Sequence, residues 1–305
     1  PLKLMNADIK TSNGCLPIFI NGGNLNGCEI EIMIPSAQIK SGIMLAALNS
    51  SGKTNIIENH ITRDHTEIML QAFGANIDLR KTDGKKIIEI VGKKELKSIN
   101  IDVPSDLSSC AFFLVAALIN KDSFLKIKNI NNNPTRNGIL LALKRMGANI
   151  ELLNNRKVNN ENICDIEVRS SELNGCELEE EISKLMIDEY PILSVAAAFA
   201  NSPSVFRGLE ELKVKESNRL NLILTNLLNC GVKSEVIRDD LYIYPSNEYS
   251  IVNKKIKTDF DHRIAMAFAV MGSKIGDLVI NESECINTSF PTFVSEFNKI
   301  GGIIS

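Results

Sequence analysis

Three observations predict an α/β (α+β) protein built from a repeated unit. Helices rich in small apolar residues recur along the chain. Each is followed by a short β-rich run. Each run then leads through a polar turn into a second, amphipathic helix that ends on a small residue.

The helix endings are the clearest mark of the repeat. Residues 70–77 (LQAFGANI), 143–150 (LKRMGANI) and 227–234 (LLNCGVKS) each close a helix and turn through glycine into a strand. Residues 1–9 (PLKLMNADI) match them once Asn6 is read in place of the glycine, since asparagine is the next-best residue for a left-handed cap. The small-residue helices are 36–48 (SAQIKSGIMLAAL), 106–118 (DLSSCAFFLVAAL), 188–200 (DEYPILSVAAAFA) and 261–271 (DHRIAMAFAVM), and all open on Ser or Asp, good N-cap chemistry. Strands are expected at 54–58, 123–127, 204–207 and 278–281. The second helices are expected over 62–70, 133–143, 213–223 and 287–297. Helix starts recur roughly every 70–80 residues. This gives four full repeats and the tail of a fifth, so the chain is expected to begin inside a repeat, as an N-terminally truncated protein would. No single repeat can bury a core alone, and the Ala-rich helices must pack together. Residues 84–98 read as a charged hairpin and an exposed segment, and the Asn-rich stretch 154–162 as a surface loop. A domain boundary is expected near 100–104.

Bulk properties narrow the function. In 305 residues, 44% are apolar and 23% charged, which suits a globular chain of two domains. A net charge of −3, without any Lys/Arg-rich block, argues against a nucleic-acid partner. No apolar run reaches the roughly 18 residues of a membrane span, so no membrane partner is expected. Seven cysteines without C-x-x-C point to reduced thiols in a cytoplasm. The three histidines form no metal-binding spacing.

Polar clusters sit at the helix starts. Lys213–Arg219 (KVKESNR) holds three cations and one carboxylate ahead of an apolar run. If the helix includes them, Lys215 and Arg219 share a face, and two like charges there call for an anion. Glu216 lies beside them. Ser36 can cap its helix; Gln38 has no evident structural task, and Lys40 is read as a surface residue. Arg63 stands before a helix N-terminus as a candidate phosphate contact, beside Asp64, a capping candidate. Asp188 and Glu189 open an apolar helix, where capping accounts for one acid and leaves the other either free for chemistry or merely exposed. Asp261-His262-Arg263 puts a cation at the edge of a core, which is costly unless paired with an anion. The chain lacks a Walker A or G-x-G-x-x-G pattern, so a multi-anionic small substrate is favoured over a nucleotide.

The set SAQIKS, TRDHTE, NPTR, IDEYP, LKVKESNR, DHRIAM and TSFP resembles the 5-enolpyruvylshikimate-3-phosphate synthases (3-phosphoshikimate 1-carboxyvinyltransferases), most of all the bacterial group that includes glyphosate-tolerant forms. The resemblance runs along the whole chain. It implies the two-domain enolpyruvyl transferase fold, an inside-out α/β barrel of βαβαββ repeats with substrates between the domains, its first domain incomplete here. Residues 1–103 would be the remainder of that domain, and 104–305 the second domain with three repeats. The implied reaction moves the enolpyruvyl group of phosphoenolpyruvate to the 5-hydroxyl of shikimate 3-phosphate and releases phosphate, a step toward chorismate and the aromatic amino acids. It uses no metal or organic cofactor, and a monomer is expected.

By the same resemblance, Ser36, Ala37 and Gln38 bind shikimate 3-phosphate, with Gln38 also near phosphoenolpyruvate, and Arg63 contacts the shikimate phosphate. Asp188 is the proton acceptor, Lys215 lies between the substrates, and Glu216 serves proton transfer to the methylene. Arg219 and Arg263 bind phosphoenolpyruvate, and His262 supports the site. Thr288 stands where some members carry Lys. The alternatives are a UDP-N-acetylglucosamine enolpyruvyl transferase and a non-catalytic anion-binding scaffold. The SAQIKS, KESNR and DHRIAM blocks disfavour the first, and the two carboxylates among the cations disfavour the second. The family's N-terminal Lys-Ser…Arg set has no match in this chain, so the isolated polypeptide is expected to turn over weakly or not at all. A clear rate from the 305-residue chain with both substrates overturns that expectation.

Overall fold

The computed structural model describes residues 1–246 and 249–305. The chain divides into two compact units, 1–103 with 157–161, and 104–156 with 162–305.

The first unit begins with the tail of a repeat, a hairpin of β1 (Asp8–Ser12) and β2 (Cys15–Asn21). One full βαβαββ repeat follows: β3 (Glu29–Ile32), α1 (Ala37–Leu48), β4 (Lys53–Glu58), α2 (His65–Ala72), β5 (Asn76–Thr82) and β6 (Lys85–Val91). Its sheet runs β3-β4-β6-β5, with β3 and β4 parallel and the rest antiparallel. Alternation makes this sheet two-faced. Ile30, Ile32, Ile56, Ile88 and Ile90 point to one side and bury themselves with Ile43, Met44 and Ala47 of α1. The hairpin expected from Gly84 onward turns at Asp83–Gly84, both at positive φ, so its first arm lies upstream of the expected segment.

In the second unit a parallel bridge between Ser105 and Ile130 stands where an opening strand would be. The repeat continues with α3 (Leu107–Ile119), β7 (Phe124–Asn131), α4 (Gly138–Arg145), β8 (Asn149–Val158) and β9 (Glu161–Arg169). Next come β10 (Glu177–Leu178), the single turn α5 (Glu180–Ser183), α6 (Tyr190–Ala198), β11 (Ser204–Phe206), α7 (Arg219–Asn229), β12 (Lys233–Ile237) and β13 (Asp240–Tyr244). Their sheet runs β10-β11-β13-β12, the order already seen in the first unit. The chain closes with β14 (Lys255–Ile256), α8 (His262–Ile275), β15 (Val279–Ile280) and α9 (Phe293–Lys299). Helices α3, α6 and α8 pack on one another. Alanines 116, 117, 196, 197, 198, 265 and 267 are buried there, which permits close approach. Among the described residues no helix is long and apolar enough to cross a membrane.

The repeat endings are left-handed, as the sequence requires: Asn6, Gly74, Gly147, Gly231 and Gly301 have φ of 68, 79, 86, 79 and 100°. Four expectations need correction. The second helices begin later than periodicity suggests, because 3-10 turns (Glu210–Val214 and Ser283–Thr288) or irregular loops take up the polar residues ahead of α2, α4, α7 and α9. Residues 154–162 are not a loop but the facing arms of the β8–β9 hairpin. Asparagine misled there because Asn154, Asn159 and Asn160 all take positive φ, and the last two form the tight turn within a hairpin. Asp188 does not cap α6; it lies in a 3-10 turn (Ile187–Glu189), and the N-cap position falls to Glu189, whose side chain makes no cap hydrogen bond.

Lys40 is not on the surface. It is wholly buried and lies 2.8 Å from Glu67 and 3.1 Å from Glu58, while Lys86 lies 2.8 Å from Glu67. A helix turn that looked polar thus closes a four-charge cluster beneath α1 and α2. Ser36, Asp106 and Asp261 cap their helices as expected.

The Gly231 turn gives a test of backbone fit. A Cβ there would lie 2.4 Å from the Ser250 carbonyl oxygen, whereas at Gly74, with the same φ, the nearest atoms are 4.0 Å away on the Lys97 side chain. Gly231→Ala is expected to lower stability by roughly 1–3 kcal/mol, more than Gly74→Ala, read from urea midpoints. Equal shifts would mean the 250 segment yields at no cost.

Candidate functional site

Each unit brings one set of candidate residues together. In the first unit the starts of α1 and α2 are joined. Ser36 Oγ accepts from the Ile39 amide at 3.3 Å, and Ser36 also donates to Gln38 Oε1 at 3.2 Å. Gln38 therefore has a local partner although it is exposed. Ser41 shares a 2.7 Å hydrogen bond with Thr66 of α2. Lys40 Nζ reaches the Thr62 carbonyl at 3.5 Å, and Thr62 donates to Glu58 at 2.6 Å. The buried charge cluster thereby fixes the loop that carries half-buried Arg63. Asp64 holds the α2 N-cap position without a side-chain cap bond.

In the second unit the centre is Arg219, wholly buried at the first residue of α7. Its Nε donates to Asp261 Oδ2 at 2.8 Å, its Nη1 to Asp188 Oδ1 at 3.1 Å and its Nη2 to Glu216. Asp261 is buried too. Its Oδ2 also accepts from Ser217 at 2.8 Å, and its Oδ1 accepts from the Arg263 amide at 2.9 Å, capping α8. Burial alone would raise this carboxyl, but the Arg219 guanidinium, the Ser217 hydroxyl and the Arg263 amide together hold it below the usual value. Lys215 Nζ lies 3.8 Å from Asp188 Oδ1 and is also paired with Glu211. Arg263 Nη1 donates to the Asp188 carbonyl at 3.3 Å and faces Glu189 Oε1 at 3.7 Å. His262 is half-buried, and burial, then the positive Arg263, pushes its pKa down, which favours neutral imidazole.

Lys215, Glu216 and Arg219 do converge, but not through a shared helix face. Lys215 has an extended backbone (φ −79°, ψ −155°), and α7 starts only at Arg219, with Asn218 as its cap. Asp188 draws the two cations together, offering one oxygen to both. Thr288, where a cation was not expected, donates its hydroxyl to the Cys285 carbonyl at 2.7 Å. Periodicity gave no hint of the roles of Asp261, Ser217 and Glu189. For Asp261 a signal existed: an Asp opening a buried helix, next to an arginine that needs an anion.

The arrangement offers two carboxylates, half-buried Asp188 and exposed Glu216, among three cations at the starts of α6, α7 and α8. Such a group can bind an anion and move protons beside it.

Known proteins are similar to this chain over its whole length. The model of the EPSP synthase family (3-phosphoshikimate 1-carboxyvinyltransferase) matches residues 1–297. A 3-phosphoshikimate 1-carboxyvinyltransferase of Paramagnetospirillum magneticum is 42% identical, covering all of this chain and 69% of the relative. One from Alkaliphilus oremlandii is 43% identical, covering 98% of this chain and 70% of the relative. The solved EPSP synthase of Acinetobacter baumannii superposes with a TM-score of 0.87 at 38% identity, over 99% of this chain and 69% of its own. The enolpyruvyl transferase NikO of Streptomyces tendae, at 16% identity and a TM-score of 0.74, shares the fold.

Asp261→Asn strips a buried guanidinium of its fully buried carboxylate partner and is expected to cost about 3–5 kcal/mol in stability. The sign of the pH effect follows from the lowered carboxyl: its contribution is complete above the usual 3.8 and is lost as pH falls through the lower folded value. Acid titration of unfolding should therefore show a shallower loss below about pH 4 in Asp261→Asn than in the parent. Identical acid slopes would rule out Asp261 as the titrating group.

Proposed function

This chain belongs to the EPSP synthase family, and from that premise we propose how its residues serve the activity. The reaction is enolpyruvyl transfer from phosphoenolpyruvate to the 5-hydroxyl of shikimate 3-phosphate, in the shikimate pathway. The 5-oxygen bonds to C2 of phosphoenolpyruvate while its methylene gains a proton. Loss of phosphate and of a methyl proton then regenerates the enol ether.

On this reading the start of α1 (Ser36, Ala37, Gln38) and Arg63 hold shikimate 3-phosphate, because hydroxyl, amide and guanidinium donors suit a phosphate. Asp188 takes the 5-hydroxyl proton, and Glu216, the most exposed of the acids at 55%, carries the proton to and from the methylene. Lys215, Arg219 and Arg263 offset the phosphate and carboxylate charges, and neutral His262 supports Arg263. An incoming phosphate takes over Arg219 Nη2 from Glu216, which frees that carboxylate for its task. The observation that most supports the proposal is that Asp188 Oδ1 faces Arg219 Nη1 at 3.1 Å and Lys215 Nζ at 3.8 Å, which sets the assigned base directly between two of the assigned substrate-binding cations. An anion-binding scaffold would need the cations alone. We place the activity in the cytoplasm, in keeping with seven free cysteines.

Calorimetric titration of the chain tests this. Shikimate 3-phosphate is expected to bind, and UDP-N-acetylglucosamine is expected not to compete. Arg63→Ala should weaken shikimate 3-phosphate, and Arg263→Ala phosphoenolpyruvate, each roughly 10–100-fold, the value of a charge-assisted hydrogen bond. If Arg63→Ala binds shikimate 3-phosphate as the parent does, its assignment fails.

A further inference from the structure

One buried acid has no part in the chemistry above. Glu189 is 2% exposed, next to Asp188, at the N-cap of α6. Its Oε1 accepts from the hydroxyl of Ser108 on α3 and faces Arg263 Nη1 of α8 at 3.7 Å. Ser108 in turn accepts from Arg136 Nη2 at 2.8 Å, and Arg136 is ion-paired with Asp106 at 2.8 Å. Glu189 Oε2 is buried and has no hydrogen-bond partner among the described residues. Leaving a buried carboxylate oxygen unsatisfied is costly, so a stability role alone accounts poorly for this acid. Among the described residues both protein partners of Arg263's side chain meet it at Nη1: the Asp188 carbonyl and Glu189.

We propose that Glu189 is a positioning residue for Arg263. Held by Ser108, it fixes the Arg263 guanidinium at one end, so that the cation meets the anionic substrate already ordered. Because Glu189 and Asp188 are consecutive, the same anchor fixes the backbone that carries the proton acceptor. Burial, and then the neighbouring Asp188, raise the Glu189 carboxyl, while Arg263 and the Ser108 hydroxyl oppose that rise. The inference rests on Arg263 as a phosphoenolpyruvate contact. An arginine that must be ordered on binding costs affinity, and an ordered one does not.

The test uses the whole chain, with phosphoenolpyruvate titrated in the presence of saturating shikimate 3-phosphate. Glu189→Ala is expected to weaken phosphoenolpyruvate roughly tenfold, the effect of one unordered side chain, and to leave shikimate 3-phosphate unchanged. Glu189→Gln should recover most of the loss, because its amide oxygen still accepts from Ser108. In an Arg263→Ala background Glu189→Ala should have no further effect. Should Glu189→Ala fold poorly, Ser108→Ala loosens the same anchor and should weaken phosphoenolpyruvate in the same direction. Tighter binding in Glu189→Ala, the result if the carboxylate only offset the charge of Arg263, overturns the proposal, as does a loss that persists without Arg263. A ligand-free readout separates this from failure of the substrate assignment. The Arg263 guanidinium nitrogen resonance, identified by its absence in Arg263→Lys, should shift in Glu189→Ala. An unmoved resonance overturns the positioning role whatever the ligand does. A shifted resonance with unchanged phosphoenolpyruvate affinity in Arg263→Ala overturns instead the assignment of Arg263 to that substrate.

Discussion

The second unit depends on one buried guanidinium. Arg219 opens α7, Asp261 caps α8 and Asp188 precedes α6, so the ion pairs of a single side chain set where three helices begin. Taking a guanidinium out of water is expensive, and the cost is met only because carboxylates and a hydroxyl complete the hydrogen bonding around it. The side chains proposed to face substrate then need no separate scaffold: Lys215, Glu216 and Arg263 are all within one bond of that cluster. The site is organised by the same contacts that fix the helix ends.

The first unit solves a similar problem with different residues. Lys40, Glu58, Glu67 and Lys86 form a compact set of two cations and two anions beneath the starts of α1 and α2. Above it lie the Ser36–Gln38 turn and the loop with Arg63. In both units polar helix starts are carried on buried ion pairs, while Ala-rich or Ile-rich faces below supply the apolar core.

The repeat was legible because its markers are local. A left-handed cap requires Gly or Asn, and a capped helix start requires Ser or Asp, so four endings and three caps could be read from residue type alone. Helix beginnings were misplaced where polar residues occupy 3-10 turns, since helical spacing does not distinguish those turns from a first α-turn. The site residues came from a resemblance, and their geometry did not. That Arg219 is buried, or that the Asp188 carbonyl meets Arg263, depends on contacts 42 and 75 residues apart in one network, and no pattern along a chain encodes such distances. Lys40 was misjudged for the same reason: its carboxylate partners arrive from β4 and α2.

The asparagines have a further consequence. Asn6, Asn13, Asn129, Asn154, Asn159 and Asn160 all take the left-handed backbone that would otherwise ask for glycine. At these turns asparagine and glycine can stand for one another with little harm. The Ala-rich helices and the buried pairs do not share that latitude.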